Sequence, residues 1–97
     1  MDFQVRISEA ALADLERIVE YSWNRFPATA ESFGTSLLNH VALLRTLPYM
    51  GSPVAGRPGV RQLVHTPILI YYRVQEHPNV IEILHFWHAS RQAPENV

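Results

Sequence analysis

The chain has no cysteine and no lysine. Without thiols it can hold no disulfide framework, no thiolate metal site and no cysteine nucleophile. All eight basic residues are therefore arginines. A guanidinium suits bidentate contact with phosphate or carboxylate, but it stays protonated and cannot act as a general base. No apolar run approaches the length of a membrane span, and charged residues appear from Asp2 onward. Neither a membrane span nor a secretory leader is expected, and a cytoplasmic address follows as the default. Charge of one sign is also lacking: the net is −1. A domain held to nucleic acid by counterion release would show a broad basic footprint, which is missing here. No phosphate-cradling Gly loop, Ser–His–Asp order or zincin helix occurs.

Present are 97 residues, 47% of them hydrophobic. That size and composition fit one folded domain over residues 1–97 with a core of modest depth, and a frayed tail at 92–97. Residues 1–50 carry four arginines against six acids, whereas residues 51–97 carry four arginines against three acids and hold four of the five histidines. Phe3–Ile7 alternates apolar and polar residues, the mark of a half-buried strand. Ser8 then suits the N-cap of a helix from Glu9 to about Arg25, with Leu12, Leu15, Ile18, Val19 and Ser22 on one stripe. Pro27 fits the first turn of a second helix, whose buried face holds Phe33, Leu37, Val41, Leu44 and Leu47. Gly34 would let the two helices approach closely. Residues 48–59 read as an ordered Gly/Pro loop. Strands are expected at 60–65, 68–74 and 80–88, joined by turns at Thr66-Pro67 and Glu76-His77-Pro78-Asn79.

The expected fold is therefore α+β, in the order β-α-α-β-β-β. A helical hairpin packs on one face of a mainly antiparallel four-stranded sheet. By the two-residue period, the uncovered face should gather Glu82, Leu84, Phe86 and His88 with Leu69, Tyr71 and Arg73, joined by Arg61, Leu63 and His65. Such a mixture on an open sheet is a candidate binding surface.

Arg61, Arg73, His88 and Arg91 form the sharpest cluster. Three guanidinium groups could clamp a phosphodiester while His88 exchanges a proton near neutral pH. The alternative is that the arginines pair with Glu82, Glu76 or a partner's carboxylates. His85 and His88, three apart on a strand, point to opposite faces and do not converge on a metal. No metal site and no cofactor is expected. His40 and His65 read as partly buried structural residues. Tyr71, Tyr72 and Trp87 could stack on bases, but aromatics in consecutive central strands fit core or interface better. Glu9, Asp14, Glu16 and Glu20 read as a solvated helix face.

In their order and spacing, several segments resemble the RelE/ParE family of toxins from type II toxin–antitoxin (plasmid stabilization) systems. They are Val5-Arg6-Ile7-Ser8, Ala13-Asp14-Leu15, Ile18 with Tyr21, Phe33 with Leu37, Leu44 through Pro48 with Gly51, Arg61-Gln62-Leu63, Tyr72-Arg73-Val74, and His88 with Arg91. The resemblance covers residues 3–91. It implies a small α+β toxin neutralised by a cognate, ParD-like antitoxin whose extended segment wraps it. Two activities occur on the fold: ribosome-dependent mRNA cleavage in the RelE branch and DNA gyrase inhibition in the ParE branch. Here no lysine stands where some of the nucleases use one, residues 48–60 hold no glutamate, and no tyrosine follows Arg91. The expectation is accordingly a ParE-like gyrase inhibitor, probed first at Arg61, Arg73, Trp87, His88 and Arg91. The alternatives are a ribosome-dependent mRNA endoribonuclease using Arg61, Arg73, His88 and Arg91, and a non-toxic remnant that only binds antitoxin.

The hairpin carries more apolar side chains than one small sheet can bury, namely Trp23, Phe26, Leu38 and Leu43. An amphipathic antitoxin segment is expected over them, continuing along a sheet edge by strand addition, with Arg17, Arg25 and Arg45 meeting its carboxylates at the rim.

Overall fold

Ser8 ends one element and begins the next. In a computed structural model, which describes residues 2–90, strand β1 spans Gln4–Ile7 and helix α1 spans Glu9–Arg25. The Ser8 hydroxyl accepts the Ala11 N–H at 3.1 Å and donates to the Leu84 carbonyl at 3.2 Å. One side chain thus caps the helix and ties its start to the last strand. Pro27 opens α2 (Pro27–Ala42), where its missing N–H leaves no helical bond unmade. A 3-10 turn, Leu43–Arg45, follows. The remaining strands are β2 (Ser52–Pro53), β3 (Val60–His65), β4 (Ile68–Gln75) and β5 (Val80–His88).

The helices pack on a five-stranded sheet ordered β1-β5-β4-β3-β2. β1 runs parallel to β5, and the other pairs are antiparallel. The expected four strands become five because Ser52 and Pro53, inside the Gly/Pro loop, pair with Gln62 and Arg61. A two-residue strand has no alternation to read, and its proline is tolerated because it lies at the sheet edge.

The core joins Leu37, Val41 and Leu44 to Leu63, Ile68, Ile70, Tyr72, Ile81, Ile83 and Phe86. Two helical expectations need correction. On α1 the fully buried positions are Ala11 and Asp14, with Leu15 and Ile18 packed partly against the core, while Leu12 is exposed. The stripe is turned by about one residue, and it carries a carboxylate inward. Beyond α2, Leu47 is exposed rather than buried. Gly34 does not mark a close helix contact either, since a Cβ there would meet nothing within 4 Å.

Gly51 is the glycine that close packing does require. A Cβ at Gly51 would lie 2.6 Å from the Gln62 carbonyl oxygen and 2.7 Å from the Tyr72 hydroxyl. That hydroxyl, on a fully buried ring, accepts the Gly51 N–H at 3.0 Å and donates to the Pro48 carbonyl at 2.9 Å. The Gly/Pro loop is thereby pinned to the middle of the sheet.

The register corrects the expected open face. Arg61, Leu63 and His65 pair with Tyr72, Ile70 and Ile68, so they share the helix-covered face with those core residues. In β5, Tyr71 pairs with His85 but Tyr72 pairs with Ile83, which leaves Leu84 as an extra residue. This bulge inverts the alternation beyond it. Phe86 therefore enters the core opposite Ile70, and His88 falls opposite Ile68. The open face instead holds Gln62 and Val64 of β3, Leu69, Tyr71 and Arg73 of β4, and Glu82 and Trp87 of β5.

Candidate functional site

Between the far half of the hairpin and the Ile68–His88 end of the sheet runs a groove of about 980 Å³. Its apolar lining comes from Ile18 of α1, Phe26 at the hairpin turn, Ala30 and Phe33 of α2, Ile68 and Phe86. Arg17, Ser36, His65 and His88 add polar groups. An apolar trough with a few convergent polar groups is the usual form of a ligand or partner site.

At one wall stands Asp14, only 4% exposed. Its Oδ2 lies 2.7 Å from His85 Nδ1 and accepts the Phe86 N–H at 3.3 Å, while Arg17 donates to Oδ1. Residues Gln4–Ile7 of β1 pair only with Val80–Ile83 of β5. Where that pairing runs out, the Ser8 hydroxyl takes the Leu84 carbonyl and the Asp14 carboxylate takes the Phe86 amide. These two side chains thus satisfy a strand edge that would otherwise be buried unpaired. Asp14 is no part of a solvated acidic face. The signal in the sequence was its helical spacing, three residues from Ala11 and four from Ile18, on the inward stripe.

On the opposite wall, His65 lines the groove and is met by His40 of α2. His40 Nδ1 of α2 and His65 Nδ1 of β3 are 2.8 Å apart, and His65 Nε2 lies 3.4 Å from Ser36 Oγ. Phe33 packs against the His65 ring with centroids 6.0 Å apart. Burial lowers the His65 pKa below the ordinary imidazole value, and His40 lowers it further. Both histidines are part-buried and bonded, as structural residues are.

Of the arginine–histidine cluster expected from the sequence, the described members Arg61, Arg73 and His88 are not brought together. Arg61 is committed inward, donating to the carbonyls of Gly51 at 2.7 Å and Tyr49 at 3.2 Å, with its guanidinium carbon 5.2 Å from the Tyr49 ring centre. Its Nε is buried with no partner among the described residues. The Tyr49 hydroxyl donates to Glu76 at 2.5 Å; this bond, then desolvation and the Glu76 charge, raise its pKa, while Arg61 opposes them. Arg73 is exposed on the opposite face of the sheet, beside Glu82 in register. His88 is exposed at the other end of β4 from Arg73, and its Nδ1 accepts the Ser90 N–H at 3.2 Å. Trp87 is half-buried, edge-on to His85 at 5.9 Å. Arg91 and the tail at 92–97 lie outside the described residues.

On the hairpin, Trp23, Phe26, Leu38 and Leu43 are exposed by 50, 62, 44 and 49%. Arg25 sits over the Tyr21 ring, Arg17 binds Asp14, and Arg45 lies 3.8 Å from Asp2. Phe26 and Arg17 also line the groove, so the exposed hairpin surface and the groove are continuous.

Known proteins share both pattern and shape. The profile of the family described as "ParE toxin of type II toxin-antitoxin system, parDE" matches residues 5–93. Among solved structures, a chain of the chromosomal ParDE toxin–antitoxin system from P. aeruginosa superposes with a TM-score of 0.78 at 23% identity, covering 91% of this chain and 97% of that one. A chain of the toxin–antitoxin complex RelBE2 from Mycobacterium tuberculosis superposes with a TM-score of 0.65 at 19% identity, covering 91% and 99%. No curated protein matches the sequence.

Proposed function

Because this chain belongs to the ParE toxin family of type II toxin–antitoxin systems, we propose that it arrests growth by inhibiting DNA gyrase through protein–protein contact, and that a cognate ParD-like antitoxin holds it inactive. The observation that favours gyrase over messenger RNA is the dispersal of Arg61, Arg73 and His88, the described members of the phosphate-cleaving set. Cleavage of a phosphodiester needs the proton-transfer group and the charge-stabilising groups around a single phosphate. Arg61 is spent on two carbonyls, Arg73 lies on the other face, and His88 sits at the far end of the strand pair. A contact surface needs no such convergence. Arg73 and Trp87 on the open face, with His88 at the strand end, are the residues we assign to it, and Arg61 supports it from beneath.

For the antitoxin, the support is the exposed apolar set on the hairpin, Trp23, Phe26, Leu38 and Leu43. An amphipathic segment covering them, with one end in the groove past Phe26, would hide surface that a lone domain leaves wet. Arg17, Arg25 and Arg45 then meet its acids at the rim. A stable complex of this kind buries roughly 1,200 Å² or more.

The test is induction without antitoxin. Filamentation, an SOS response and gyrase-dependent DNA breaks are expected, and the purified protein should block supercoiling by gyrase. Codon-positioned mRNA cleavage with normal supercoiling would replace this reading with a ribosome-dependent endoribonuclease. Unimpaired growth would leave a non-toxic antitoxin-binding remnant.

A further inference from the structure

His65 lines the groove and meets His40 of α2, and the pair has a geometry with room for one proton. Their Nδ1 atoms are 2.8 Å apart and their ring centres 5.0 Å apart. The second distance is close to the first plus the two ring radii, so the nitrogens meet head to head. In the neutral pair one Nδ1–H donates and the other Nδ1 accepts. A first added proton can go to the outer nitrogen of the donor ring, which leaves the N–H···N bond intact and charge-assisted. A second must land on the accepting Nδ1. Two N–H groups on two cations would then face each other at hydrogen-bond distance, and the contact must open.

We propose that His40 and His65 form a proton-limited latch that sets the distance of α2 from β3, and with it the width of the groove, and that the latch releases when the pair takes up its second proton. What the latch holds is weakly held otherwise. Between Pro27 and Ser36, the N-terminal part of α2, only Ala30 is buried. Phe33 is partly buried against the core, whereas Leu37 and Val41, next to the latch, are fully engaged. Release would therefore swing the first half of α2 about Leu37 rather than unfold the domain, the kind of low-cost local opening expected where few apolar contacts resist it.

The surroundings offer the second charge little relief. From α2 the neighbours are Ser36 and Phe33, and Thr66 and Pro67 of the β3–β4 turn and Ile68 of β4 share the groove lining with His65. Across the groove, the titratable groups among the lining residues are Asp14, Arg17 and Tyr21 of α1 and His88 of β5. The Asp14 carboxylate is already engaged by Arg17, His85 and the Phe86 amide. The lowered pKa of His65, from burial first and His40 second, has the sign this arrangement requires.

The test follows the imidazole nitrogens of the uniformly labelled full chain by NMR from about pH 8 down to about pH 4, a window that spans imidazole titration. His40 and His65 should titrate in two separate steps, the lower one distinctly below the ordinary imidazole value of about 6.5. The amides of Ala30, Phe33 and Ile68 should move with the lower step and stay still through the upper one. In His40→Gln, a side chain that can still hydrogen-bond but never charges, the lower step should vanish, His65 should titrate nearer the ordinary value, and the groove amides should lose their response. A single shared step at the ordinary imidazole value in the parent chain, or groove amides that ignore the lower step, overturns the proposal without recourse to any variant.

Discussion

His85 Nδ1 meets Asp14 Oδ2 at 2.7 Å across 71 residues of chain, in a setting where both side chains are buried. The same carboxylate oxygen accepts the Phe86 amide, so a single residue of α1 holds the bulged segment of β5 in place. Removing one member of a buried, bonded charged group costs about 3 kcal/mol or more. Asp14→Ala should lose stability on that scale. In a domain of this size that lowers the melting temperature by roughly 12 °C or more. A loss under about 0.5 kcal/mol, the ordinary range for a surface substitution, would show that Asp14 is as solvated as its helical neighbours.

The two glycines of contrasting surroundings should respond with opposite sign. Gly34 lies inside α2 with open space where a Cβ would go, so Gly34→Ala should stabilise by about 0.5–1 kcal/mol. Gly51→Ala drives a methyl into the Gln62 carbonyl and the Tyr72 hydroxyl and should destabilise by about 1–3 kcal/mol. Urea unfolding of both variants checks the pair. Equal effects would mean that the loop does not press on the sheet as described.

Tyr72→Phe isolates the hydroxyl that pins the Gly/Pro loop. It leaves the Gly51 N–H and the Pro48 carbonyl without their partner, at a cost of about 1–3 kcal/mol. Because Arg61 is held by the Gly51 and Tyr49 carbonyls, proteolysis within residues 48–59 should accelerate in this variant. An unchanged cleavage rate would mean the loop is anchored elsewhere.

His65 gives a pH dependence of defined sign. Its folded pKa lies below the unfolded value of 6.5, so the folded chain binds fewer protons than the unfolded one. The stability it contributes is complete above that unfolded value and is lost as the pH falls from there through the folded value. Denaturation midpoints of the parent should therefore fall more steeply over that window than those of His65→Gln. Parallel slopes would refute the assignment.

Antitoxin binding should depend on the hairpin's exposed apolar set. Leu38→Glu and Trp23→Ala each place a defect on a surface that is about half exposed in the free chain, so the fold should survive. Each should weaken the complex by about 2 kcal/mol, roughly thirtyfold in Kd. Parent-like affinity in both would move the antitoxin to the open sheet face.

Local rules carried much of the fold. Ser8 could be read as a cap and Pro27 as a helix start because each acts through its own backbone neighbourhood. The strands at 60–65 and 80–88 were legible from alternation and flanking turns, as was the toxin-family pattern from the order of its segments. Contacts between distant segments decided the rest. One extra residue at Leu84 reverses which side chains face the helices, so Phe86 joins the core and Trp87 the open face. Alternation cannot foresee this, because a bulge is a property of two paired strands. Likewise, helical spacing puts Asp14 on the inward stripe, but its task is set only when β5 arrives with an amide to satisfy, and nothing local distinguishes His40 from any other helical histidine until β3 delivers His65. The sequence by itself determined the helices, four of the five strands and their kinship. Tertiary structure determined which charged and aromatic groups meet, because hydrogen bonds across 25 to 72 residues depend on where the chain returns.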